Sequence, residues 1–91
     1  MIKMTVKLKD DNHMPKVDTA FVKLANMNKI AEGKYESDED VLTPCYLSAK
    51  ALMKREWFKD NVVSMSWIVD DEPEDDLVAH FNQRIAEEGM L

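Results

Sequence analysis

A strict alternation opens the chain and limits what it can become. Ile2, Met4, Val6 and Leu8 alternate with Lys3, Thr5, Lys7 and Lys9. Successive side chains of an extended strand point to opposite faces, so this pattern puts four apolar groups on one face and a lysine-rich row on the other. Such a strand needs a neighbour to pair with and an apolar layer to cover it. If it lies at a sheet edge, the lysine row also discourages pairing between molecules.

The second strand signal is Val62–Val69. Val63, Met65, Trp67 and Val69 share one face, and Val62, Ser64, Ser66 and Ile68 the other. The second face is mixed, so one side is core and the other partly wet. The strand runs into an acidic turn, Asp70-Asp71-Glu72-Pro73-Glu74-Asp75-Asp76. Beyond it Leu77, Phe81 and Ile85 recur every four residues with Val78 beside them, which predicts a helix to Glu88. Pro73 suits its first turn and Gly89 its C-terminal cap.

Between the strands, Asp10 to Pro15 reads as a loop. Val17, Phe21, Leu24, Asn28 and Ala31 fall at helical spacing and predict a helix over Asp18–Glu32. Asp18 or Thr19 would cap it, and Gly33 would be its left-handed C-terminal residue. The competing reading pairs Thr19–Met27 with the first strand as a hairpin; Asn26 and Asn28 fit neither. Ser37-Asp38-Glu39-Asp40 has the form of a capping box and predicts a single helical turn. Thr43-Pro44 starts a helix running from Pro44 to Lys59, with Tyr46, Ala49, Met53 and Trp57 on one face. The expected fold is therefore a small single α+β domain over residues 1–91. It has two or three strands packed with two or three helices in the order β-α-α-β-α, and residues 19–27 supply the third strand if they are extended.

The 45% hydrophobic content argues against wholesale disorder. A single cysteine, Cys45, cannot make an internal disulfide and fits a reducing compartment. No apolar run approaches the roughly 18 residues of a membrane span, and the alternating N-terminus is not a secretory signal. A soluble, cytoplasmic protein is expected.

Catalytic signatures are missing from the pattern. Cys45 follows Pro44 at an expected helix N-terminus, which favours a thiolate, but His13 and His80 are the only histidines. His80 falls on the Arg84 side of its helix, away from Leu77, Phe81 and Ile85. No nucleophile motif surrounds Ser48, Ser64 or Ser66, and Gly33 and Gly89 stand alone rather than forming a phosphate cradle. One cysteine and two distant histidines make no zinc site, and Asp70–Asp76 lacks the spacing and central glycine of a calcium loop. No enzyme activity, cofactor or metal is expected. Met4, Met53 and Met65 fall at core positions, where gap-filling is the ordinary role of methionine.

Residues 21–42, ending Ile30-Ala31-Glu32-Gly33-Lys34-Tyr35-Glu36-Ser37-Asp38-Glu39-Asp40-Val41-Leu42, resemble the segment between the two helices of ribbon-helix-helix antitoxins. That resemblance implies a DNA-reading ribbon at Met4–Leu8, with Lys7 and Lys9 facing phosphates. The chain departs from the pattern elsewhere: a long loop follows the first strand, Pro44 interrupts the second helix, and a further strand follows. No family is assigned on it.

Charge is the remaining signal. The net charge of −6 is segregated. Residues 32–42 carry five acidic side chains against one lysine, and residues 70–91 carry eight against one arginine. Such acidity repels nucleic acid and membranes and attracts basic protein surfaces. Carboxylates in the first turn of a helix also complement its dipole, so the second block has a purely structural reading. The functional expectation is a small acidic regulator or inhibitor of the anti-restriction or anti-CRISPR type. Asp70, Asp71, Glu72, Glu74, Asp75 and Asp76 would join Glu36, Asp38, Glu39 and Asp40 in one negative surface. That surface would imitate nucleic-acid phosphates and dock on a basic, nucleic-acid-binding protein, with no direct contact to nucleic acid. The alternative is a structural protein whose thin sheet is completed by strand pairing in a homodimer.

Overall fold

A computed structural model describes residues 1–88, so the expected cap at Gly89 lies outside the described residues. A five-stranded antiparallel sheet carries helices on one face. The strands are β1 (Ile2–Leu8), β2 (Asn28–Ala31), β3 (Lys34–Ser37), β4 (Val62–Val69) and β5 (Asp75–Asp76), in the spatial order β2-β3-β1-β4-β5. The helices are α1 (Met14–Asp18), continued by a π-helical stretch over Thr19–Leu24, then α2 (Leu42–Met53), α3 (Glu56–Lys59) and α4 (Leu77–Glu88). The α+β class holds, but among the described residues five strands replace the expected two or three, and there are four helices.

β1 lies at the centre of the sheet, not at an edge, and pairs with β3 on one side and β4 on the other. Its alternation is realised in full: Ile2, Met4, Val6 and Leu8 are buried, and Lys3, Thr5 and Lys7 are exposed. Met14, Val17, Phe21, Cys45, Ala49, Met53, Phe58 and Phe81 cover the apolar face. Burying an aromatic such as Phe21, Phe58 or Phe81 contributes about 2–3 kcal/mol each. Lys3, Lys7, Lys34 and Ser64 stand on the other face, which stays open.

The segment from 18 to 37 is the largest correction. Neither a helix to Glu32 nor a strand over 19–27 forms. The helical spacing of Val17 and Phe21 is real, but the helix starts earlier, at Met14, and ends at Leu24. Asn26 then adopts a left-handed conformation (φ 58°), and the Met27 N–H donates to the Phe21 carbonyl. Asparagine tolerates that backbone better than most residues, so it stops the helix. A β2–β3 hairpin follows, and Gly33 (φ 72°) lies in its turn rather than at a helix end. A Cβ on Gly33 would lie 2.2 Å from the Val6 carbonyl oxygen, because β1 passes directly against this turn. The hairpin also removes the basis of the antitoxin resemblance, since residues 28–37 are paired strands.

Asp18 and Thr19 sit inside the helix and do not cap it. The Asp18 carboxylate instead accepts hydrogen bonds from Tyr35 Oη (2.5 Å) and Lys29 Nζ (2.9 Å), tying the helix to the hairpin. No helical turn forms over Ser37–Asp40; the Ser37 hydroxyl accepts from the Glu39 N–H at the end of β3. The expected long helix over 44–59 is two. α2 ends at Met53, Arg55 takes an extended backbone, and α3 restarts at Glu56.

The β4 alternation breaks once. Lys7 pairs with Ser64 but Leu8 pairs with Val62, so Val63 is the extra residue of a bulge. The bulge turns Val63 out to solvent and Val62 onto the core, while Met65, Trp67 and Val69 keep the expected phase.

Candidate partner-binding surface

The register of β1 decides where the acidic blocks go. Ile2 pairs with Ser37 of β3 on one side and with Val69 of β4 on the other. The residues that leave these strands, Asp38 onward and Asp70 onward, therefore emerge side by side across Met1. A depression of about 260 Å3 is lined by Asp38, Glu39, Asp40 and Asp70, with Met1 and Ile2 among them. The Met1 amino group lies 2.7 Å from Asp70 Oδ1. That hydrogen bond, and behind it the carboxylates of Asp70, Asp38 and Asp71, raise the amino group's pKa above its ordinary value. One ammonium thus senses both blocks.

Asp70 and Asp71 are not in a helix. Both have positive φ (47° and 64°), and the Glu72 N–H donates to the Val69 carbonyl at 3.0 Å. This is a tight turn of the mirror-image kind that suits the twist of paired strands, and it opens the five-residue connection from β4 to β5. The chain then folds back along β4, with Asp76 opposite Ser66 and Asp75 opposite Trp67. Glu74 accepts a hydrogen bond from the Ser66 hydroxyl. Asp76 caps α4, accepting from the Ala79 N–H at 3.1 Å. Asp70 to Asp76 therefore form a ridge down the β5 edge of the sheet, and all seven residues are exposed. Asp38, Glu39 and Asp40 are exposed beside its upper end. Glu36 is set apart: it is half-buried on β3, opposite Lys3 on the open face.

Cys45 is fully buried, and burial pushes its thiol up to about 12. The helix N-terminus that would favour a thiolate is outweighed by desolvation. Among the described residues, no group of three or more His, Cys, Asp and Glu is placed to hold a metal ion. Among them, too, no helix is long and apolar enough to cross a membrane.

Spacing missed a second feature. A pocket of about 330 Å3 opens between α2, β4 and α4, lined by Tyr46, Trp67, Asp75, Asp76, His80 and Gln83. Tyr46 Oη and His80 Nε2 share a hydrogen bond at 3.0 Å, and the Tyr46 and Trp67 rings lie 6.0 Å apart. His80 does lie off the Leu77–Phe81 face as its helical position implies, but that side faces Tyr46 rather than open solvent. Only the packing of α2 beside α4 brings these residues together, and no short motif announces it.

Comparison with protein-family models, with curated proteins and with solved structures finds no match. The functional reading therefore rests on the chemistry of the surface.

Proposed function

We propose that this protein is a non-enzymatic acidic binding protein that docks on a basic protein surface, of the kind that holds nucleic acid. The observation that carries the reading is the convergence of two acidic blocks, distant in sequence, at one end of a rigid sheet. Carboxylates held by a tight turn (Asp70, Asp71), by the short β5 (Asp75, Asp76) and by the chain leaving β3 (Asp38 to Asp40) form a negative surface without the entropy loss of ordering a flexible tail. Spaced charges of this kind match a groove that accepts phosphates and steer encounter with it. A role as an inhibitor of a nucleic-acid-binding enzyme, as in anti-restriction or anti-CRISPR proteins, follows from occupying such a groove. The buried, deactivated Cys45 supports a binding role over thiol chemistry.

The test is capture from a cell lysate on the immobilised protein, washed through a salt series. The reading expects a nucleic-acid-binding protein that moderate salt releases and added DNA or RNA displaces. The variant combining Asp38→Asn, Asp40→Asn, Asp70→Asn and Asp71→Asn should capture much less of it while keeping the fold. It spares Asp76, which caps α4, and Glu74, which holds Ser66. Unchanged capture by this variant would rule out the electrostatic reading.

One observation favours assembly instead: β2 is an open edge whose four residues are exposed, Ile30 among them. Against it, the sheet that motivated strand pairing between copies already has five strands within one chain. Light scattering separates the two readings, because a dimer that survives dilution, with no basic partner captured, would favour assembly.

A further inference from the structure

The pocket beside the acidic ridge has a chemistry of its own. Its walls are the aromatic rings of Tyr46 and Trp67, and Asp75 and Asp76 border it. Register fixes this arrangement, since Asp75 pairs directly opposite Trp67. Asp76 uses Oδ1 to cap α4, leaving its second oxygen available, and the Gln83 amide nitrogen is bonded to Glu87, leaving the amide oxygen as an acceptor. Tyr46 is held in place by His80 and by packing on Phe81, with ring centroids 5.2 Å apart. The pocket therefore offers ring faces and acceptors, with a volume near the lower end of small-ligand sites.

A delocalised planar cation satisfies all of these groups together. Ring faces attract cations, and a guanidinium stacks on them more readily than an ammonium does. Its fork of N–H donors also matches carboxylate geometry. The positive end of the α4 dipole works against a cation here, but it amounts to about half a unit charge against two carboxylates. An ammonium is more strongly hydrated and presents no flat face, so lysine fits less well.

We infer that this pocket receives an arginine side chain of the protein partner, its guanidinium lying over the Trp67 ring beside Tyr46 and its N–H groups donating to Asp75 and Asp76. The inference rests on the docking reading and deepens it. The acidic ridge steers the partner, and one arginine anchors it.

The direct test needs no partner. N-acetyl-arginine methylamide is titrated into 15N-labelled protein while the two indole N–H signals are followed. A saturable shift at Trp67 is expected, with Trp57 unmoved and the lysine analogue at least about fivefold weaker. Asp75→Asn, on the exposed edge, should abolish the shift, Trp67→Leu should abolish the accompanying shifts of the Asp75 and His80 backbone N–H signals, and retained dispersion of the remaining signals would show that the fold is intact. No saturable shift, or equal shifts with arginine and lysine, would overturn the inference. Once a partner is captured, the same two variants should weaken it at least about tenfold. If they leave its affinity unchanged while the neutralised sheet end abolishes it, the arginine pocket is refuted and the docking reading stands. Absence of any basic partner from the lysate would defeat the docking reading, whereas the amide titration reports on the pocket by itself.

Discussion

Asp70 and Asp71 set stability against charge. Left-handed backbone costs a non-glycine residue about 1–2 kcal/mol, and aspartate relieves only part of that by local hydrogen bonding. The turn type prefers Asn-Gly, so two aspartates in adjacent left-handed positions (φ 47° and 64°) are a poor choice for stability alone. Replacing both, as Asp70→Asn with Asp71→Gly, should stabilise the fold by about 0.5–1 kcal/mol, read from the chemical-denaturation midpoint. The same pair should weaken capture of a basic partner. A variant that is both less stable and fully competent to bind would contradict the account. Gly33 carries the opposite lesson. Its Cβ would meet the Val6 carbonyl oxygen at 2.2 Å, and its positive φ disfavours alanine independently. Gly33→Ala should therefore cost about 3 kcal/mol, detected as a lower unfolding midpoint with an unchanged denaturant slope. The sequence marks Gly33 as a residue that needs freedom, and the structure agrees. It does not say which element needs that freedom, because a helix end and a hairpin turn both place glycine in left-handed backbone.

At the scale of elements, what was legible follows from period and what was not follows from turn chemistry. β1 and α4 declare themselves through uninterrupted apolar periods, and β4 through one that a single bulge at Val63 interrupts. The β2–β3 hairpin is hidden, because its strands are four residues each and β2 is exposed along its whole length. β2 has no alternation of buried and exposed residues to read, and in β3 it spans only Lys34–Ser37, with Tyr35 and Ser37 buried. Besides the pairing of β3 with β1 and the buried Tyr35 ring, the hairpin is held by a polar tie that periodicity does not register: Tyr35 and Lys29 both donate to Asp18 on the preceding helix. Burial, and then the hydrogen bond to Asp18, hold the Tyr35 phenol well above its ordinary pKa of 10.0. A raised folded-state pKa means the stabilisation is complete below the unfolded value and is lost as pH rises above it, because only the unfolded phenol ionises there. Thermal unfolding midpoints should therefore fall steeply above about pH 10. Tyr35→Phe should cost about 1–2 kcal/mol at neutral pH and flatten that alkaline fall. An equal alkaline slope in the variant would assign the effect to other groups. Cys45 gives a related check, since a fully buried thiol pushed up to about 12 should react with a disulfide reagent only at the rate of unfolding.

Across the whole molecule, charge is sorted by the sheet. The central strand's lysines, with Lys34, occupy the open face, and the acidic turn and the end of β3 gather at one end and along one edge. The sequence shows two acidic blocks but not their meeting, which depends on Ile2 pairing with Ser37 and Val69 at once. The pocket of Tyr46 and Trp67 was hidden for the same reason, since its walls come from elements far apart in the chain. This separation of charge makes a prediction about rates. Exposed carboxylates act mainly at a distance, so they should accelerate encounter with a basic partner more than they slow its departure. Raising ionic strength from about 0.05 to 0.5 M shortens the screening length from roughly 14 to 4 Å. The association rate constant should drop by about tenfold or more over that range, while the dissociation rate changes by less than about threefold. Stopped-flow mixing with the captured partner measures both. The neutralised sheet-end variant should start at the slow rate and show little further salt dependence. A steep salt response confined to dissociation would instead place the binding energy in short-range contacts, and the ridge would then be a solvated edge rather than a steering surface.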